Sequence, residues 1–207
     1  MEEPTRIPLF PLDVVLLPSM PLPLHIFEPR YQQMIAHCME ERLTFGMVLA
    51  ANNTVATVGC TAEILQKIRE YPDGRSDIVT EGRSPFRLVE MVSERSYYEG
   101  VVEYLADTPT PGGQSDEKPL LDRFEQCHLL LFGQPWERRD TAEHFALAYR
   151  IAGRLPIEHA GKQTLLEMRS ENDRQSFLLQ WLEDLLPRLT HRQHGRDLAG
   201  GNGHALN

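Results

Sequence analysis

Six prolines fall within the first 23 residues, at positions 4, 8, 11, 18, 21 and 23. Each fixes its own φ, removes one backbone donor and pushes the preceding residue toward extended space. Helix is therefore disfavoured throughout the opening. The residues between the prolines are apolar: Ile7, Leu9, Phe10, Val14–Leu17 and Leu22–Phe27. Apolar pieces of this length between chain breakers read as short buried strands.

The first helix is expected right after this segment. Glu28-Pro29 places an acid and a proline at its first turn, and Tyr31, Met34, Ile35, Cys38 and Met39 repeat at helical spacing. Strands resume at Thr44–Ala50, Val55–Glu70 (long and bent), Ile78–Thr80, Phe86–Val92 and Tyr97–Leu105. Turns at Asn52-Asn53 and Pro72-Asp73-Gly74-Arg75 separate them. Many short strands with frequent turns indicate a barrel or a sandwich. Asp107–Lys118 is polar and rich in Pro and Gly, which marks a linker or exposed loop.

Helical spacing dominates after Pro119. Leu120–Phe132, Thr141–Gly153 and Leu165–Met168 read as helices. Ser170-Glu171-Asn172-Asp173 resembles a capping box and precedes the stripe Phe177, Leu178, Trp181, Leu182, Leu185, Leu186, Leu189. Residues 191–207 are glycine-rich and weakly apolar, and a mobile tail is expected there.

The net charge of −9 disfavours general binding to phosphate backbones, and no Lys/Arg run offsets it. Three widely spaced cysteines, Cys38, Cys60 and Cys127, do not form a disulfide framework. Met1-Glu2-Glu3-Pro4 lacks a basic, then apolar, leader, and no apolar run reaches the ~20 residues that span a bilayer. A cytoplasmic location is expected, with no membrane contact.

Chemistry-bearing motifs do not emerge. Gly161-Lys162 lacks the upstream glycine and the following hydroxyl of a phosphate loop. His37-Cys38 and Cys127-His128 are adjacent pairs, which point apart on a helix. Ser19, Ser84 and Cys60 lack the context of an activated nucleophile, and among the carboxylates Glu63 and Glu90 are the ones set in apolar runs. No catalytic residue, cofactor site or metal site is assigned.

One segment is distinctive: Ile7-Pro8-Leu9-Phe10-Pro11-Leu12-Asp13-Val14-Val15-Leu16-Leu17-Pro18, then Pro21-Leu22-Pro23-Leu24-His25-Ile26-Phe27-Glu28-Pro29-Arg30-Tyr31. It resembles the opening of the N-terminal substrate-binding domain of Lon proteases. The resemblance continues through Gly59–Ile64, Tyr71–Arg75, Ile78–Gly82 and Phe86–Leu88, and spans about residues 6–190. It implies an α+β fold in which an N-terminal PUA-like β pseudo-barrel is followed by a C-terminal α-helical bundle. The expected division is a β domain at 1–106, a linker or loop at 107–118, a helical bundle at 119–190 and a tail at 191–207.

In the family, an ATPase and a Ser–Lys protease domain follow this one. Neither is among these 207 residues, so a stand-alone, non-catalytic module is expected. The implied partners are unfolded or tagged polypeptide segments, or a protease or chaperone for which the chain acts as adaptor or regulator; self-association is a further expectation. The alternatives are a hydrolase with an unrecognised site, or a nucleic-acid binder through PUA-like kinship. The candidate binding residues are Leu16, Leu17, Met20, Leu22, His25, Glu28, Arg30 and Tyr31. Their structural reading is that Leu16, Leu17, Met20 and Leu22 are core, Glu28 caps a helix and Arg30 pairs with a carboxylate or a carbonyl. Strand addition to a barrel edge is a second way to hold a polypeptide.

Overall fold

The structure, a computed structural model, describes residues 5–109, 115–136 and 145–201, with side chains described as far as residue 193. Seven strands come first, interrupted by one helix: β1 (Thr5–Leu12), β2 (Pro21–Ile26), α1 (Pro29–Glu41), β3 (Phe45–Ala51), β4 (Thr54–Val55), β5 (Val58–Glu70), β6 (Ser76–Val92) and β7 (Tyr98–Tyr104). Among the described residues four helices follow: α2 (Lys118–Phe132), α3 (Leu147–Ala152), α4 (His159–Glu167) and α5 (Glu171–Gly201). The fold is thus α+β, strands before helices.

The strands close into a ring. β1 runs antiparallel to β7, with Ile7 opposite Gly100, and parallel to β3, with Leu9 opposite Gly46. The antiparallel pairs β7–β6, β6–β5 and β5–β3 complete the circuit. Closure pairs both edges of β1, which an open sheet would leave bare. Ile7, Leu9, Val48, Phe86 and Val102 converge from four of these strands. Glycine is required at position 46 because a Cβ there would lie 2.8 Å from the Phe86 ring.

Past the ring, β5 and β6 continue as a long hairpin. It turns at Tyr71–Arg75, where the Tyr71 N–H donates to the Arg75 carbonyl at 2.8 Å and Gly74 takes a φ of 86°. β2 pairs with the free side of β6 along this extension, from Pro21 opposite Glu81 to Ile26 opposite Ser76. The two strands expected at 78–80 and 86–92 are one continuous β6. Pro85 is tolerated within it because it faces Cys60 beside a register shift.

Val14–Leu17, expected as a strand, is a buried loop. Val15, Leu16 and Leu17 enter the core, but the backbone is satisfied locally and across the chain: the Ser19 N–H donates to the Gly82 carbonyl at 2.9 Å, and the Met20 N–H donates to the Leu17 carbonyl at 3.0 Å. This backbone approaches Gly82 so closely that any Cβ there would collide with the Leu17 carbonyl.

The helices pack against the barrel without a break in the core. One buried cluster runs from Phe10, Leu17 and Cys60 to Phe124, Leu165, Leu178 and Leu182. Ser170 caps α5 as its sequence suggests, its hydroxyl accepting the Asp173 N–H at 3.3 Å. The α5 backbone continues through Pro187, which lies on the exposed side, and on to Gly201. Helix therefore covers part of the segment in which a tail is expected from residue 191; residues 202–207 lie outside the described residues. So do 110–114 of the expected linker and 141–144 of the expected helix at 141–153, whose described part is α3.

Arg174 locks the two halves together. Its side chain is 0% exposed. It donates to Glu171 at 3.0 Å, to the Met168 carbonyl at 3.0 Å and to both carboxylate oxygens of Asp107, the residue that leaves the barrel. Its guanidinium also stacks 4.4 Å from the Tyr149 ring centroid. Each of its three nitrogens donates, as a buried charge requires.

Candidate functional site

The eight residues drawn from the proline-rich opening do not share one surface. Leu16, Leu17 and Tyr31 are corrected to core positions, each no more than 4% exposed. Their apolar surface is spent on packing; the Tyr31 ring, for example, stacks on Phe10 at 4.1 Å. Met20 and Leu22 are partly buried against the core. His25 is exposed at the far end of β2, where its Nδ1 lies 2.6 Å from the Asp77 carboxylate. Met20 and His25 thus stand at opposite ends of a six-residue strand, roughly 17 Å apart.

Glu28 occupies the cap position of α1, yet its carboxylate makes no capping hydrogen bond. It accepts from Arg30 instead, at 2.9 and 2.7 Å, while Pro29 removes one of the donors that a cap would serve. At the hairpin tip, the Asp77 carboxyl is held below its ordinary range by the His25 ring and by the Tyr71 hydroxyl, which donates at 2.8 Å.

A different surface has the shape of a binding site. A groove of about 370 Å³ opens between the C-terminal end of α1 and the outer part of β5. Cys38, Met39, Arg42, Leu43 and Thr44 form one wall, and Glu63–Lys67 form the other. Met39, Leu43 and Leu65 are 39%, 41% and 49% exposed, and Ile68 stands beyond them at 60%. Apolar side chains gathered at this exposure are the usual mark of a contact surface.

The reason for the exposed apolar residues lies in the register of β5. Ile64 faces Thr80 and Gln66 faces Val79, so Leu65 is an extra residue; Lys67 faces Ile78 and Arg69 faces Asp77, so Ile68 is another. Two bulges therefore re-aim these side chains away from the sheet. The same bulges blunt the outer edge of β5, to which no strand pairs beyond Ala62 among the described residues. On the opposite edge of the hairpin, Pro21 and Pro23 lack the donors that a further strand would need. Both open edges of the hairpin are thus poor templates for strand addition.

Sequence reasoning places Met39 in a core stripe and Leu65 and Ile68 in a strand. The available signal was broken alternation, since Ile64-Leu65 and Lys67-Ile68 put apolar residues at consecutive or out-of-phase positions.

Electrostatics in and around the groove do not favour bond-breaking chemistry. Burial pushes the Cys38 thiol up to about 12 and raises Cys60 and Cys127 as well, the opposite of an activated nucleophile. Glu63 is held by Arg83, which also pairs with Glu81 at 2.6 Å. Among the described residues, no three His, Cys, Asp or Glu side chains gather as metal ligands, and no helix is long and apolar enough to cross a membrane.

Comparison with known proteins places this geometry. The profile of the ATP-dependent protease La (LON) substrate-binding domain matches residues 6–184. The chain belongs to this family. Lon protease of Escherichia coli strain K12 is 27% identical over 197 residues, a match covering 87% of this chain and 25% of that protein. Lon protease of Cytophaga hutchinsonii is 24% identical over 200 residues, covering 88% and 24%. The chain therefore spans about a quarter of the length of these Lon relatives. Among solved structures, a Lon N-terminal domain protein from Xanthomonas campestris superposes with a TM-score of 0.67 at 26% identity, covering 86% of this chain and 98% of that one. The N-terminal domain of Mycobacterium avium complex Lon protease, at 18% identity and a TM-score of 0.63, shares the fold.

Proposed function

We propose that this Lon-type substrate-binding domain is a non-catalytic module that holds unfolded or tagged polypeptide segments by their apolar side chains, and that it acts as an adaptor or regulator in proteolysis. The observation that carries this reading is the groove between α1 and β5, where Met39, Leu43 and Leu65 stay exposed side by side. Family membership supports the substrate class, because the matched domain is a substrate-binding one. The protected strand edges support side-chain capture over strand addition. His25, Glu28 and Arg30, at the opposite end of α1 from the groove, are a separate polar contact in this proposal.

The test uses a fluorescein-labelled, permanently unfolded polypeptide, such as a reduced and carboxymethylated small protein, titrated with the purified chain. Anisotropy is expected to rise with the unfolded form and not with its native, disulfide-bonded counterpart. Changing Leu43 and Leu65 together to serine should weaken binding about tenfold, because two apolar contacts of ~1 kcal/mol or less each are lost. Equal binding of native and unfolded forms, or full affinity in the double variant, rejects the groove as the site.

A further inference from the structure

The groove is not electrically neutral, and its charge lies where the backbone is strained. Arg42 ends α1 in the left-handed region, with a φ of 55° and a ψ of 43°. Glycine is the usual residue there, because a Cβ is unfavourable in that conformation. In this chain the strained position carries an arginine, which lines the groove. Such outliers persist where the surroundings over-determine them, often at binding sites.

The other charged side chains on the walls already have partners. Glu63 is held by Arg83 at 2.5 Å, and Lys67 lies 3.1 Å from Glu70. Among the described residues, Arg42 has no ion-pair partner. In a chain of net charge −9, the groove thus presents one uncommitted cation beside an apolar floor of Met39, Leu43 and Leu65.

We infer that the groove selects polypeptide segments in which an acidic residue flanks an apolar one, the apolar side chain seating between α1 and β5 and the carboxylate meeting the Arg42 guanidinium. This rests on the polypeptide-binding reading above and adds a sequence preference to it. A planar guanidinium suits a carboxylate because it donates two parallel hydrogen bonds. The bulge at Leu65 sets the apolar contact and the left-handed turn at Arg42 sets the polar one, so both determinants come from irregular backbone on facing walls.

The test compares two fluorescein-labelled decapeptides in a Gly/Ser frame, one with leucine-glutamate-leucine at its centre and the other with leucine-glutamine-leucine. The glutamate peptide is expected to bind about fivefold more tightly at low salt, the range of an exposed charge pair, and the preference should fade as salt rises. Arg42→Gly removes the charge while relieving the backbone, so its melting temperature should hold or rise as the preference disappears; Arg42→Lys should keep part of it. Equal binding of the two peptides, with affinity still lost in Leu65→Ser, would overturn the acidic preference and leave the groove standing. Failure of both peptides to bind would overturn the preference and the groove together. An unchanged preference in Arg42→Gly would assign the selectivity to another residue and overturn this proposal.

Discussion

Lys162 on α4 is half-buried, and its ammonium lies 4.0 Å from the Met20 sulfur, a contact that cannot replace lost water. Burial lowers its pKa. The charged form is therefore less favourable in the folded protein than in the unfolded chain. This costs stability below the folded pKa, and the cost is relieved as pH rises through that value toward the unfolded one. Lys162→Met keeps the length of the side chain and removes the charge. Thermal unfolding should shift up by about 2 °C at neutral pH, and the variant should lose this part of the gain in stability toward alkaline pH. A lower melting temperature would mean that the ammonium has a stabilising partner.

At the scale of the elements, the barrel and the helices are fastened by Arg174. Arg174→Ala would remove the group that neutralises Asp107 and Glu171 and would leave a hole against Tyr149. The expected cost is about 3–5 kcal/mol, the range for breaking a buried ion pair, read as a large drop in the denaturant midpoint. If the midpoint moves little, the two halves are held by apolar packing alone. Such a fastening was not legible in the sequence. Arg174 sits in an ordinary polar stretch of α5, and its partner at Asp107 is 67 residues away. What was legible is what short-range patterning dictates: α1 from its proline and its apolar stripe, the start of α5 from Ser170, and the turn at Tyr71–Arg75. The two bulges of β5 escaped: Ile64-Leu65 and Lys67-Ile68 break the alternation, but only the register with β6 turns that break into an extra residue. The groove depends on those bulges, so it escaped as well, and the apolar residues of the opening that stood out to the eye, Leu16 and Leu17, are the ones the core consumes.

For the molecule as a whole, ring closure rests on the eight residues of β1, which pair with β7 on one side and β3 on the other. Removing residues 1–12 should open the ring and expose Val48, Phe86 and Val102. The shortened chain is expected to bind a hydrophobic dye and to lose sharp, cooperative unfolding; a truncated chain that unfolds sharply without dye binding would show that the remaining strands close by themselves. This closure also has a temporal side. In Thr5 opposite Val102, a residue meets one made almost a hundred residues later. At a translation rate of roughly 5–20 residues per second, the edge of β1 that β7 covers waits about 5–20 seconds before that partner exists. The prolines at 8 and 11 then acquire a second meaning, since each removes a donor through which that waiting segment could pair with another nascent chain.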